Sequence, residues 1–218
     1  MENKYHWRFS ESYFSWEELY EKLELVSERE ALFQTQKALV SMRQYHDGQY
    51  RKKTWYSEKK IPYIIHPLTM AWQAYTLGFR KDSVLAAILL HDVCEDCDAK
   101  VDELSAGDEV RKLVGLLTYE KTKDQNTAEA KRIYFDRIAQ NMDAALIKVI
   151  DRCNNISTMA ATFSRDRMIE YIEETEQYVC PLLQILKVRR PESAMQTFLL
   201  EYHLYSVLES IKNIICKQ

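Results

Sequence analysis

Apolar residues recur three or four positions apart along nearly the whole chain, and the alternation expected of a half-buried strand almost never persists. Only four Gly and four Pro punctuate that pattern, so the sequence predicts an all-α fold. Two helix starts carry capping boxes: Ser15 with Glu18 ahead of WEELYEKLELV, and Ser27 with Glu30 ahead of ALFQTQKALVSMRQYH. In each, the serine hydroxyl can accept from a free amide while the glutamate reaches back. Pro67 suits the first position of a helix reading PLTMAWQAYTLG, with Gly78 as its stop. Asp82 or Ser83 can cap SVLAAILLHDVCED, which is apolar on nearly every side and therefore belongs at the centre of the domain.

Further helices are expected at about 108–117, 127–140, 142–150, 166–187 and 191–214. The last begins after Pro191 as a long amphipathic tail, ESAMQTFLLEYHLYSVLESIKNII, expected to pack on its own domain or on a partner subunit. The chain is accordingly divided into a domain over residues 1–190, N-terminal helices included, and a C-terminal helix over 191–218.

Length and composition change this picture little. A chain of 218 residues suits one domain with an appendage. Its formal charge of -3 provides no overall basic field to hold a nucleic acid backbone. The longest uncharged apolar run, Val84 to Leu90, falls far short of the ~18 residues that span a bilayer. The start, MENKYHWRFSES, lacks the basic and then apolar pattern of a secretion signal. A cytoplasmic protein without membrane or nucleic acid partners is expected. The five cysteines, odd in number and spread along the chain, are expected to be reduced.

The candidate chemistry gathers where apolar runs end. His66 follows PYII, His91 and Asp92 follow LAAILL, and Asp151 follows ALIKVI. A lone His at such a position is usually a satisfied core residue. A buried carboxylate beside an imidazole, however, is costly unless a cation or a hydrogen bond compensates it. Two His and two Asp make a four-ligand set, and imidazole with carboxylate oxygen suits Mn2+, with Fe2+, Co2+, Mg2+ or Zn2+ as alternatives. Such an ion could bind a phosphoryl oxygen and acidify water. Glu95 and Asp96 lie four residues beyond His91 and Asp92, one turn along the same face of a continuing helix. A carboxylate there could orient a water or move protons; the competing reading is a solvated acidic helix end. Cys94 and Cys97 form a CxxC with no second such pair and no preceding strand, and read as bystanders.

This ordered set resembles the His, His-Asp, Asp signature of the HD phosphohydrolase superfamily. It is most similar to the hydrolase domain of the RelA/SpoT family and its stand-alone members, the small alarmone hydrolases, which include a metazoan SpoT homologue. The resemblance runs through HDGQYRK (46–52), PYIIHPL (62–68), LAAILLHDVCED (85–96), LVGLLTYEKT (113–122), YFDRIAQN (134–141) and IKVIDRCNNIST (147–158). It implies an HD-domain helical bundle in which His66, His91, Asp92 and Asp151 bind one Mn2+, and Glu95 and Asp96 form the catalytic acidic pair. Arg51 and Lys52 match a pair near the nucleotide base, and Asn155 and Thr158 match nucleotide-contacting positions. By themselves the first two read equally as a solvated basic loop, and the last two as helix-capping residues.

The activity so implied is removal of the 3′-pyrophosphate from guanosine tetraphosphate or pentaphosphate, releasing pyrophosphate and GDP or GTP, by a lone hydrolase without a synthetase domain. Two departures bear on it. The segment KTWYSEKKI (53–61) is longer than the family's connector beside the base pocket. There Trp55 and Tyr56 could stack on a base and Lys53, Lys59 and Lys60 meet phosphates, or the segment could be an exposed basic hairpin. That leaves open adenosine analogues of the alarmones, or a 2′- or 3′-phosphorylated nucleotide such as NADPH. Cys97 stands where the family commonly has Thr. A reading of another class, a nucleotide-binding regulator or antitoxin-like protein with little turnover, would use the C-terminal helix as its interface, the same surface that could join two copies of the chain.

Overall fold

The computed structural model describes residues 15–54, 60–119 and 127–216. Trp55, Tyr56 and Lys59 of the longer loop, and 120–122 of the matched segment 113–122, lie outside them. Among the described residues the chain is all-α: α1 (Trp16–Arg29), α2 (Phe33–Tyr45), α3 (Ile65–Thr76), α4 (Asp82–Leu90), α5 (Val93–Asp96), α6 (Asp108–Leu117), α7 (Ala128–Ala139), α8 (Met142–Met159), α9 (Arg165–Glu174), α10 (Cys180–Arg189) and α11 (Ala194–Cys216). Among the described residues the only extended pairing is an isolated antiparallel bridge between Tyr50 and Pro62.

The apolar pattern explains why α4 is central. Every residue from Ser83 to Leu90 is buried, because α2, α3, α6 and α8 all pack around it. Fully burying each Leu or Ile of such a helix contributes roughly 1.5–3 kcal/mol. The amphipathic α11 buries Leu200, Leu204, Leu208, Ile211 and Ile215, lies against α8 and α10, and leaves Met195, Phe198 and Tyr202 exposed. No described helix is long and apolar enough to cross a membrane.

Local signals set some helix ends and tertiary contacts set others. Ser15 caps α1 as its spacing predicts, accepting from the Glu18 amide at 3.3 Å. Ser27 does not cap α2: it lies buried inside α1 and donates to the Glu24 carbonyl. Instead the Asp82 carboxylate reaches across from α4 and accepts from the amides of Gln34 and Thr35, both at 2.8 Å, the two donors an N-cap would satisfy. Asp82 and Ser83 therefore do not cap α4, which begins after Lys81 without a side-chain cap. Pro67 is the third residue of α3 rather than the first, and Gly78, at φ +92°, terminates that helix in the left-handed region.

Three longer expectations also change. The helix expected to run through LLHDVCED turns at His91 and Asp92 between α4 and α5. α8 continues to Met159, well past the expected 150. The span expected as one helix over 166–187 is interrupted by a π turn at Thr175–Val179. There the Arg152 guanidinium donates to the Thr175 hydroxyl at 3.0 Å and to the Tyr171 carbonyl at 3.4 Å, and a side chain inserted into a helical ladder is a known cause of such bulges.

Candidate active site

Three helices deliver the His and Asp side chains to one place. His66 lies in the first turn of α3, His91 and Asp92 at the turn that ends α4, and Asp151 at the middle of α8, which packs on both other helices. Both imidazoles and the Asp151 side chain are buried. His66 Nε2 lies 3.3 Å from Asp151 Oδ1 and 3.5 Å from Asp92 Oδ2. His91 Nε2 lies 3.0 Å from Asp92 Oδ1 and 3.9 Å from Asp151 Oδ1.

The outer face of each ring fixes what the inner face offers. His91 Nδ1 sits 2.8 Å from the Ile88 carbonyl, which can only accept, so Nδ1 carries the proton. His66 Nδ1 likewise donates to Asn154 Oδ1 at 2.6 Å. In the neutral rings both Nε2 lone pairs then face carboxylate oxygens, an arrangement of acceptor against acceptor that calls for a cation between them. His91 Nε2 is buried and makes no hydrogen bond of acceptable geometry. One atom each from His66, His91 and Asp92 lie within 4.8 Å of one another, so this group could hold a metal ion. Nitrogen and oxygen donors with imidazoles anchored from behind fit a divalent transition ion.

The charges respond as this crowding demands. Burial pushes the His91 imidazole down, yet the Asp92 carboxylate beside it outweighs burial and holds the ring protonated up to about 9. Burial and then the nearby Arg51 guanidinium push His66 down. Burial would raise both carboxyls, but His91 holds Asp92 below the usual carboxylate range and Lys148 holds Asp151 well below it. Lys148 Nζ lies 3.0 Å from Asp151 Oδ2, and Asn155 Nδ2 donates to Asp151 Oδ1 at 2.6 Å.

The other expected residues surround this centre at different depths. Asp96 Oδ2 accepts from the Tyr63 hydroxyl at 2.9 Å, and the same hydroxyl lies 2.5 Å from Asp92 Oδ2. Glu95 Oε1 accepts from the Tyr119 amide at 2.8 Å, at the end of α6. Arg51 donates to Asn155 Oδ1 at 3.2 Å, so Arg51, Asn155 and Asp151 form one chain of hydrogen bonds. Lys52 and Thr158 stay at the exposed margin: the Lys52 ammonium lies 5.1 Å from the Phe163 ring centroid, and Thr158 bonds back to the Asn155 carbonyl at 3.3 Å. In the longer loop, Lys60 lies 5.3 Å from the Tyr50 ring centroid. Burial raises both Cys94 and Cys97, which disfavours thiolate at this site.

Sequence reasoning overlooked Tyr63, Lys148 and Asn154. Lys148 lies three residues before Asp151 and Asn154 three after it, a helical spacing that was the available signal, whereas Tyr63 precedes α3 and carries no such signal.

No family model matches the chain. It is 34% identical over 126 residues to the human guanosine-3′,5′-bis(diphosphate) 3′-pyrophosphohydrolase, covering 54% of this chain and 69% of the human one. It is 30% identical over 158 residues to the enzyme of the same name from Aquifex aeolicus, covering 71% of this chain. The match spans only 22% of that relative's length, and 22% of the Vibrio cholerae one. Among solved structures, a metazoan SpoT orthologue reported to hydrolyse ppGpp superposes with a TM-score of 0.62 at 21% identity, over 80% of this chain and 96% of that one. That likeness shows the shared helical fold.

Proposed function

The chain belongs to the HD-type family of guanosine-3′,5′-bis(diphosphate) 3′-pyrophosphohydrolases, and from that premise we propose that it removes the 3′-pyrophosphate of guanosine tetraphosphate or pentaphosphate. Water adds to the phosphorus joined to the ribose 3′ oxygen, the P–O3′ bond breaks with its electron pair leaving on O3′, and a proton ends there. The products are pyrophosphate and GDP or GTP. The observation that carries this reading is the pair of buried imidazoles whose outer nitrogens are spoken for and whose inner nitrogens face carboxylates.

His66, His91, Asp92 and Asp151 would hold a divalent ion, and we assign Mn2+ on the mixture of imidazole and carboxylate donors. Bound there, the ion supplies Lewis-acid charge to a phosphoryl oxygen and acidifies water. Lys148 and Asn155 keep the Asp151 carboxylate ionised and fixed. Glu95 and Asp96 orient the water and carry its proton toward the leaving 3′ oxygen. Arg51 and Lys52 receive the purine base, where a guanidinium can stack on the ring, and Asn155 and Thr158 line the nucleoside side.

A hydrolysis assay with added Mn2+, run over purine 3′-pyrophosphates and NADPH with products separated by chromatography, tests the reading. Pyrophosphate with GDP or GTP is the expected outcome. Turnover of NADPH alone would reassign the substrate, and tight nucleotide binding without any product would favour a regulator.

A further inference from the structure

Tyr63 touches both the carboxylate that faces the imidazoles and an acid one turn away. Its hydroxyl lies 2.5 Å from Asp92 Oδ2 and 2.9 Å from Asp96 Oδ2. A phenol carries one proton, so the two acceptors share it or take it in turn, and the separation of the two carboxylates is set by the oxygen between them. Without such a donor, two anions at this spacing would repel.

The hydroxyl is held by packing that does not involve the carboxylates of those acids. The Tyr63 ring stacks on His46 at 4.6 Å between centroids with 26° between planes, and meets His66 edge-on at 6.0 Å. The Arg51 guanidinium lies 5.6 Å from the ring centroid. His46 is itself buried, and its Nδ1 bonds Gln49 Oε1 at 2.8 Å. Gln49 Nε2 donates to the Asp96 carbonyl at 3.1 Å. On the backbone, the Tyr63 amide donates to the Gln49 carbonyl at 3.0 Å and the Arg51 amide to the Ile61 carbonyl at 2.8 Å. Ring, histidine and glutamine thus form a buttress that aims the phenol at the gap between Asp92 and Asp96.

We infer that Tyr63 is a positioning residue for hydrolysis, whose hydroxyl clamps Asp92 Oδ2 so that Oδ1 stays turned to His91, and holds Asp96 beside the centre where the attacking water is oriented. This rests on the site reading given under Proposed function. Preorganised carboxylates are where such an enzyme gains rate, since misplacing one by about 1 Å can cost on the order of 100-fold.

Tyr63→Phe keeps the ring and its stack on His46 and removes the hydroxyl alone. With purified protein and Mn2+, kcat is expected to fall about 10- to 100-fold while KM stays within about twofold, and Mn2+ affinity, measured by calorimetry without nucleotide, to weaken roughly 10-fold. All measurements are made below the melting transitions of both proteins, so a small loss of stability leaves them readable. In an Asp96→Asn background the same substitution should cost kcat a clearly smaller factor than in the parent, because only the hold on Asp92 Oδ2 remains to be lost, while Mn2+ affinity should still weaken. A purely structural contribution would cost the same factor in both backgrounds, and that result overturns the inference, as does a Tyr63→Phe kcat within about threefold of the parent. Failure of the parent protein to hydrolyse any 3′-pyrophosphorylated nucleotide defeats the underlying reading instead; an active parent with an unimpaired Phe variant defeats this inference alone.

Discussion

The centre around His91 and the strip that holds Arg51 and Lys52 are neighbours built by opposite means. His66, His91 and Asp151 are 2%, 4% and 5% exposed and are delivered by three helices packed on one another. Arg51 and Lys52 come from a non-helical segment beside a single bridge, and Lys52 is exposed. Buried donors anchored on both faces have one arrangement, so an error there costs the whole site. An exposed cation such as Lys52 on a short segment can shift and still serve, whereas Arg51 is half-buried and tied to Asn155. Under the proposed roles chemistry is kept apart from substrate choice, with the two regions joined by the chain from Arg51 through Asn155 to Asp151 and by the Arg51 guanidinium beside the Tyr63 ring.

The largest test of this contrast is Asp92→Ala, expected to abolish metal uptake and to lower turnover on the order of 1,000-fold or more, checked by metal analysis and product formation. Activity surviving with no detectable metal would dissolve the centre as assigned here. Next comes pH. With the His91 imidazole held protonated up to about 9, a proton competes with the ion below that value and not above it. Apparent Mn2+ affinity is expected to rise about tenfold per pH unit from neutrality and to level off near 9, with proton release visible as a buffer-dependent binding heat.

Arg51→Ala is expected to raise KM by roughly tenfold and leave kcat within about threefold, read from steady-state kinetics. If metal affinity falls as well, the link through Asn155 carries more than position and the two regions are not separable. Thr158→Ala is the mildest, with KM expected to rise about two- to threefold, consistent with a side chain that bonds back to its own helix.

The same contrast governs what the sequence reveals. His66, His91, Asp92 and Asp151 stand out because each follows an apolar run, and the fold brings all four together. α8 looked shorter because Asp151, Asn154, Asn155 and Thr158, the polar face turned toward the site, mimic a helix end. Ser27 and Glu30 have capping-box spacing without a helix start, since spacing alone does not say where a helix begins. The π turn near Thr175 depends on Arg152 arriving from α8, and the Tyr63 hydroxyl matters through partners 29 and 33 positions away. Pairings at such separation leave no local mark. Where composition is locally unusual, as in KTWYSEKKI, the sequence raises a question about the substrate that its pattern alone does not answer.

The Asp82 carboxylate that closes the start of α2 has a consequence for how the molecule opens. The Gln34 and Thr35 amides exchange with solvent only after their bonds to Asp82 break, so their hydrogen exchange is expected to report separation of the start of α2 from the start of α4. Asp82 begins α4 and His91 caps its far end, so slow exchange at these two amides would show that the helix leading to His91 stays docked on α2.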